Sequence, residues 1–171
     1  MSRRSRFLLA VAGVVALGAS VTGCSDSGTS MHHVVKVDIE SIDKVLHKVG
    51  ADDANVYGFN HLTGTGTDSD GSKVDVEMLA TVDYNKGTGP FEGVLTFTFA
   101  NGDTLGMRMV SGKTVAATDT TDATFASKLE VIDGTGGHLG SSGKGTFVGA
   151  RKDALGGLVQ ATFDVNVTVT G

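Results

Sequence analysis

A single cysteine, Cys24, is all that this 171-residue chain could offer to a disulfide. No intramolecular bridge can staple the fold, so its stability must come from a hydrophobic core. Tryptophan is absent and basic residues are scarce, with 14 Lys+Arg against 19 Asp+Glu. Three of those bases, Arg3, Arg4 and Arg6, fall within residues 1–23, which hold no acid. The remaining chain therefore carries 11 bases against 19 acids, a net charge of −8. An acidic domain without a basic stripe is repelled along every phosphate, which excludes nucleic acid as a partner. The leading apolar run, Phe7 to Leu17, is shorter than the ~20 residues needed to cross a bilayer as a helix. No G-x-S-x-G elbow is present, so a hydrolase nucleophile of that kind is missing as well.

What the N-terminus does contain is an address. Arg3, Arg4 and Arg6 precede the apolar run, and the small residues Gly18, Ala19 and Ser20 follow it, the layout of an export signal. Ser2-Arg3-Arg4 has a twin-arginine look, but Arg6 stands where that signal takes phenylalanine, so the general secretory route is favoured. Val21-Thr22-Gly23-Cys24 resembles the lipobox of bacterial lipoproteins. That resemblance implies cleavage after residue 23 and lipidation of Cys24, leaving the acyl chains to hold the protein on the extracytoplasmic face of a membrane. An acylated Cys24 is not available as a thiol nucleophile. Residues 24–31, rich in Ser, Gly, Thr and Asp, are expected to be a flexible tether, and residues 32–171 a single domain.

Hydrophobic spacing divides that domain in two. Val35, Ile39, Ile42, Leu46 and Val49 recur at intervals of four and three, a short-helix pattern closed by Gly50. Val35, Val37 and Ile39 could instead begin a strand, with only Ser41 to Val49 helical and Ser41 as its N-cap. From about Asn55 the period becomes two. Val74, Val76, Met78, Ala80 and Val82 oppose Asp75, Glu77, Thr81 and Asp83. The same alternation runs through Phe91–Phe99, Leu105–Met109, Phe125–Val131 and Val159–Val169. Adding Val56–Leu62, a short piece at Val115–Thr118 and Thr146–Arg151 gives about eight strands. Turn signals such as Asp70-Gly71, Asn101-Gly102-Asp103, Ser111-Gly112 and Asp133-Gly134 separate them. Strands with one wet and one dry face form antiparallel sheet, and a sheet without covering helices must curl onto itself or pair with a second sheet; the single barrel is favoured. The expected fold is all-β: one antiparallel barrel of about eight strands behind the signal peptide and a short helix.

Gly87-Thr88-Gly89-Pro90-Phe91-Glu92-Gly93 and Gly134-Thr135-Gly136-Gly137-His138-Leu139-Gly140 repeat a G-T-G-x-x-x-G pattern. With the Asn101-Gly102-Asp103 hairpin between them, residues 55–171 resemble the allene oxide cyclase-like barrels, a group that includes the dirigent proteins. The second copy departs by carrying His138-Leu139 near the expected aromatic position. The resemblance implies an eight-stranded barrel with an apolar lumen, in relatives that are often homo-oligomers and some of which cyclise reactive intermediates. It supplies no polar catalytic set, so no catalytic residue is assigned.

Apolar side chains on the dry faces make up the candidate lumen: Ala80, Phe91, Gly93, Leu95, Phe97, Phe99, Met107, Met109, Phe125, Leu129, Phe147, Ala161 and Phe163. Ala80, Gly93, Gly145 and Ala161 read as gaps among the larger residues. Asn60 and Ser127 are the expected inward polar exceptions. These residues point to a barrel that binds a small apolar ligand or a partner, to a dry lumen that shapes a cyclase or isomerase substrate, or to a surface domain with a packed core. No cofactor is indicated. Asp68-Ser69-Asp70-Gly71 lacks the acid that a calcium loop takes at its twelfth position and reads as a solvated turn. Gly143-Lys144-Gly145-Thr146 lacks the phosphate-loop framework. His32 and His33, on the expected tether, form no closed metal site, and His61 and His138 read as solvated.

Overall fold

The computed structural model describes residues 28–50, 54–117, 122–152 and 157–170. They form a closed barrel of eight antiparallel strands in simple meander order. The strands are β1 (Thr29–Val49), β2 (Asn55–Thr67), β3 (Lys73–Asn85), β4 (Gly89–Phe99), β5 (Thr104–Ala116), β6 (Ala123–Gly134), β7 (Ser141–Arg151) and β8 (Val159–Val169). A single 3-10 turn, Gly136–His138, lies between β6 and β7. β1 closes the barrel, pairing along Glu40–Val49 and at Lys36–Val37 with β2 and along Thr29–Ile39 with β8.

The expected helix is therefore a strand; the alternative that Val35, Val37 and Ile39 begin a strand holds, but the helix it kept over residues 41–49 is strand as well. Val35, Val37 and Ile39 are buried at period two, while Lys36, Asp38 and Glu40 face solvent. A bulge between Ser41 and Asp43 then inserts Ile42, which is 61% exposed, and shifts the phase by one residue. After the bulge Leu46 comes inward opposite Gly58, and Val45 and Val49 turn out. The four-and-three spacing that imitates a helix mixes inward Val35, Ile39 and Leu46 with Ile42 at the bulge and outward Val49, so it does not mark one face. Thr29 to Met31 also belong to β1, pairing with Val169 to Val167, so the barrel starts inside the segment assigned to the tether.

The count of eight is reached with different members. β1 supplies a strand that the helical spacing had hidden, and Val115–Ala116 belongs to β5 rather than to a strand of its own. Ser111-Gly112 is not a turn. It is an irregularity within β5, where Ser111 has φ +60° and both neighbouring ladders change register. Gly112 is required there because a Cβ would stand 2.3 Å from the Phe91 carbonyl oxygen and 2.6 Å from its ring.

Candidate functional site

The lumen is organised around aromatic rings. Phe125, Phe91, Phe147, Phe163, Phe97 and Phe99 follow one another through the barrel, with neighbouring centroids 4.9–6.3 Å apart. Four contacts are edge-to-face, and Phe147 stacks on Phe163 at 16°. Both geometries suit the ring quadrupole. Arg151 stands at one end of the column, its guanidinium 5.5 Å from the Phe125 centroid. At the other end Phe99 stacks on His138, which meets His33, which is bonded to Asp68.

The Arg151 end holds a cavity. Its volume is about 40 Å³, with Asn60, Leu62, Met78, Ala80, Val82, Tyr84, Phe91, Phe125, Phe147, Arg151, Gly157 and Val159 on its wall. That is room for about three water-sized groups. Strand parity builds the wall: Tyr84 follows Met78, Ala80 and Val82 on β3, and Arg151 follows Phe147 on β7. The Tyr84 hydroxyl is 2.8 Å from that of buried Thr114. Burial pushes the Tyr84 phenol above its usual pKa, against the pull of that hydrogen bond and the Arg151 charge. Asn60 accepts a hydrogen bond from the Ser41 hydroxyl. The wall thus offers a cation, a phenol and an amide among apolar groups. It can orient an acceptor or an anion, but none of these groups is a base at neutral pH.

The candidate lumen residues occupy three environments. Ala80, Phe91, Phe125 and Phe147 border the cavity. Leu95, Phe97, Met107, Met109, Leu129, Ala161 and Phe163 are buried away from it, and Phe99 is partly buried at the far mouth. Gly93 and Gly145 are not gaps. A Cβ on Gly93 would lie 2.0 Å from the Leu79 carbonyl oxygen, and one on Gly145 would lie 2.3 Å from that of Asp164. The neighbouring strand's backbone fills the space each side chain would take. Asn60 and Ser127 are buried, and Ser127 donates to the carbonyls of Val110 and Lys128.

The opposite mouth was not anticipated from the sequence. His33 lies on the inner face of β1 in phase with Met31 and Val35, not on a tether. Its Nδ1 is 2.6 Å from Asp68 Oδ2, and its Nε2 is 3.3 Å from His138 Nε2. Asp68 also accepts the Val34 and Ser69 N–H groups through Oδ1. Burial pushes the Asp68 carboxyl up, but these hydrogen bonds and the His33 charge outweigh it and hold the pKa below the usual carboxylate value. Asp68 does begin the β2–β3 turn, as its carbonyl accepts the Gly71 N–H, yet its carboxylate is buried rather than solvated. His138 is likewise buried, stacked on Phe99 at 4.5 Å and 7°. Burial first, and the charge of His33 second, push its imidazole below its usual pKa, with Asp103 pulling the other way. His32 and His61 lie on the outer face, bonded to Asp164 and Glu77. Among the described residues no group of three or more His, Cys, Asp or Glu could hold a metal ion.

Around the barrel the outward positions of β1 and β3 carry Lys36, Asp38, Glu40, Asp75 and Glu77. Such a surface is the reverse of a transmembrane barrel, which is apolar outside and polar within. Among the described residues no helix is long and apolar enough to cross a membrane. Cys24 and the export signal lie outside the described residues. No protein-family model matches the chain, and no curated protein sequence is significantly similar to it.

Proposed function

We propose that this is a membrane-anchored envelope lipoprotein, held by lipid on Cys24, whose barrel takes the end of a small apolar ligand at the Arg151 mouth. The carrying observation is the asymmetry of the lumen: a cavity of about 40 Å³ at one mouth, bordered by Arg151 and Tyr84, above a filled aromatic column. Its size suits a chain end or ring edge of a few carbon atoms. A terminal acceptor or anionic group on the same ligand would meet Arg151, which Phe125 steadies by a cation–π contact. The allene oxide cyclase-like resemblance allows a cyclase as the alternative, but the cavity is too small to fold such a substrate and its wall offers no base. A surface domain with a filled core is the stronger competitor, favoured by the full burial of Phe97 and Phe163.

Hexanoate separates the two surviving readings. Its chain should enter beside Ala80 and raise the melting temperature with concentration, by mass action on the folded state. Ala80→Phe fills the void and should abolish that rise. A melting temperature indifferent to hexanoate in the native protein would leave only the filled-core domain. The anchor has a separate test. Cys24→Ala should move the protein from membranes to the soluble fraction, because the acidic barrel carries no second membrane signal. Full retention of the variant on membranes in high salt would refute the lipid anchor.

A further inference from the structure

We propose that the Gly136–Gly140 turn is an acid-released plug, with His138 as its proton-sensing side chain, at the mouth opposite the ligand cavity. His138 is the buried residue of this 3-10 turn, whereas its neighbour Leu139 is 66% exposed. The one side chain that the turn sends into the barrel is therefore an imidazole, stacked on Phe99 and facing His33, while hydrogen bonds to Asp103, Asp133 and Thr104 hold the turn's backbone. Gly136 at φ +58° and Gly140 at φ +73° bracket it, and both conformations favour glycine. A Cβ on Gly136 would overlap the Asp103 carboxylate at 1.8 Å, so the tight seat also depends on this glycine.

Proton accounting supplies the trigger. Asp68 accepts from Nδ1–H of His33, so the 3.3 Å contact between the two Nε2 atoms needs a proton on one nitrogen and a lone pair on the other. If both imidazoles were charged, two N–H groups would point at each other across that distance in a buried site. Asp68 neutralises only the His33 side. The His138 Nδ1 atom is buried and has no hydrogen-bond partner, so nothing there stabilises a second charge. Asp103, from the β4–β5 turn, and Asp133, on β6, also lie near the turn. They are committed to the Gly137 N–H and the Gly134 and Gly140 N–H groups. β4 presents Phe99, which carries no charge. A proton that His138 accepts less readily while seated is taken up more readily once the turn swings out into water. Release would uncover Phe99 and the end of the aromatic column.

The sign follows from linkage. The open turn binds one more proton than the closed one, so opening is favoured as pH falls below about 6.5, the ordinary histidine value. Hydrogen–deuterium exchange of the full chain between pH 7.5 and 5.0, corrected for intrinsic rates, reads this directly. Peptides covering residues 134–141 should open about tenfold more per unit of pH below that point, the slope for one proton. Peptides from β3 and β8 should hold their protection. His138→Phe keeps a ring on Phe99 without a titratable group and should stay closed throughout. In the unmodified protein, an NMR titration of the His138 ring should show a midpoint below 6.5. A pH-independent turn, a His138→Phe variant that opens as the native protein does, or a midpoint at or above 6.5 would each overturn the plug.

Discussion

Phe97→Ala is expected to destabilise the barrel by about 3–5 kcal/mol, read as a lower denaturation midpoint with an unchanged slope. Phe97 is 0% exposed and makes edge-to-face contacts with Phe163 at 5.5 Å and Phe99 at 6.3 Å. Truncating it removes both contacts and opens a void in the middle of the ring column, where surrounding strands are tied on both sides and cannot collapse. Phe125→Ala should cost less, because Phe125 already borders unfilled space and is only partly buried. Equal losses at the two positions would mean that the lumen is uniformly packed or uniformly loose, against the asymmetry on which the functional reading rests.

Asp68→Ala is expected to have a similar effect, about 3–5 kcal/mol, for an electrostatic reason. The substitution strips the partner from a partly buried His33 imidazole and removes the acceptor of the Val34 and Ser69 N–H groups. Those donors remain in place with nothing to receive them, and an orphaned buried donor costs more than the lost bond. Asp68→Asn retains an acceptor oxygen and should lose less. Because the folded state depresses the Asp68 pKa, its contribution is in place above about pH 4 and is lost as pH falls through the folded value. Thermal unfolding of the variant against the native protein at pH 7 and again at low pH checks this. The gap should narrow in acid, and a gap that widens would refute the assignment.

How much of the barrel could be read from the chain follows from where period two survives. β3, β4 and β8 alternate without interruption, since each has one face in the core and one in water, and their inward residues were legible from spacing alone. β1 was not, because the bulge at Ile42 breaks the phase and turns a strand into an apparent helix. Gly112 misled in the opposite direction: a glycine demanded by the Phe91 ring has the same letter as a glycine in a turn. The functional ends show the same split. Arg151 and Tyr84 sit on inward positions of their strands, so strict alternation carried past the apolar residues would have found them. His33 was recoverable once Thr29–Met31 was placed in a strand. His138 lies in a 3-10 turn, and its stacking on Phe99 joins residues far apart in sequence, so no periodicity marks it.

The central claim, a ligand site confined to one mouth of an otherwise filled barrel, is tested most directly by methyl NMR of the methionines. Met78 lies on the cavity wall, whereas Met107 and Met109 are buried in the packed core. With 13C-labelled methionine methyls, titrating hexanoate should shift the Met78 resonance in a saturable manner and leave Met107 and Met109 unmoved. Saturable shifts at Met107 and Met109, or no shift at Met78, would contradict the account.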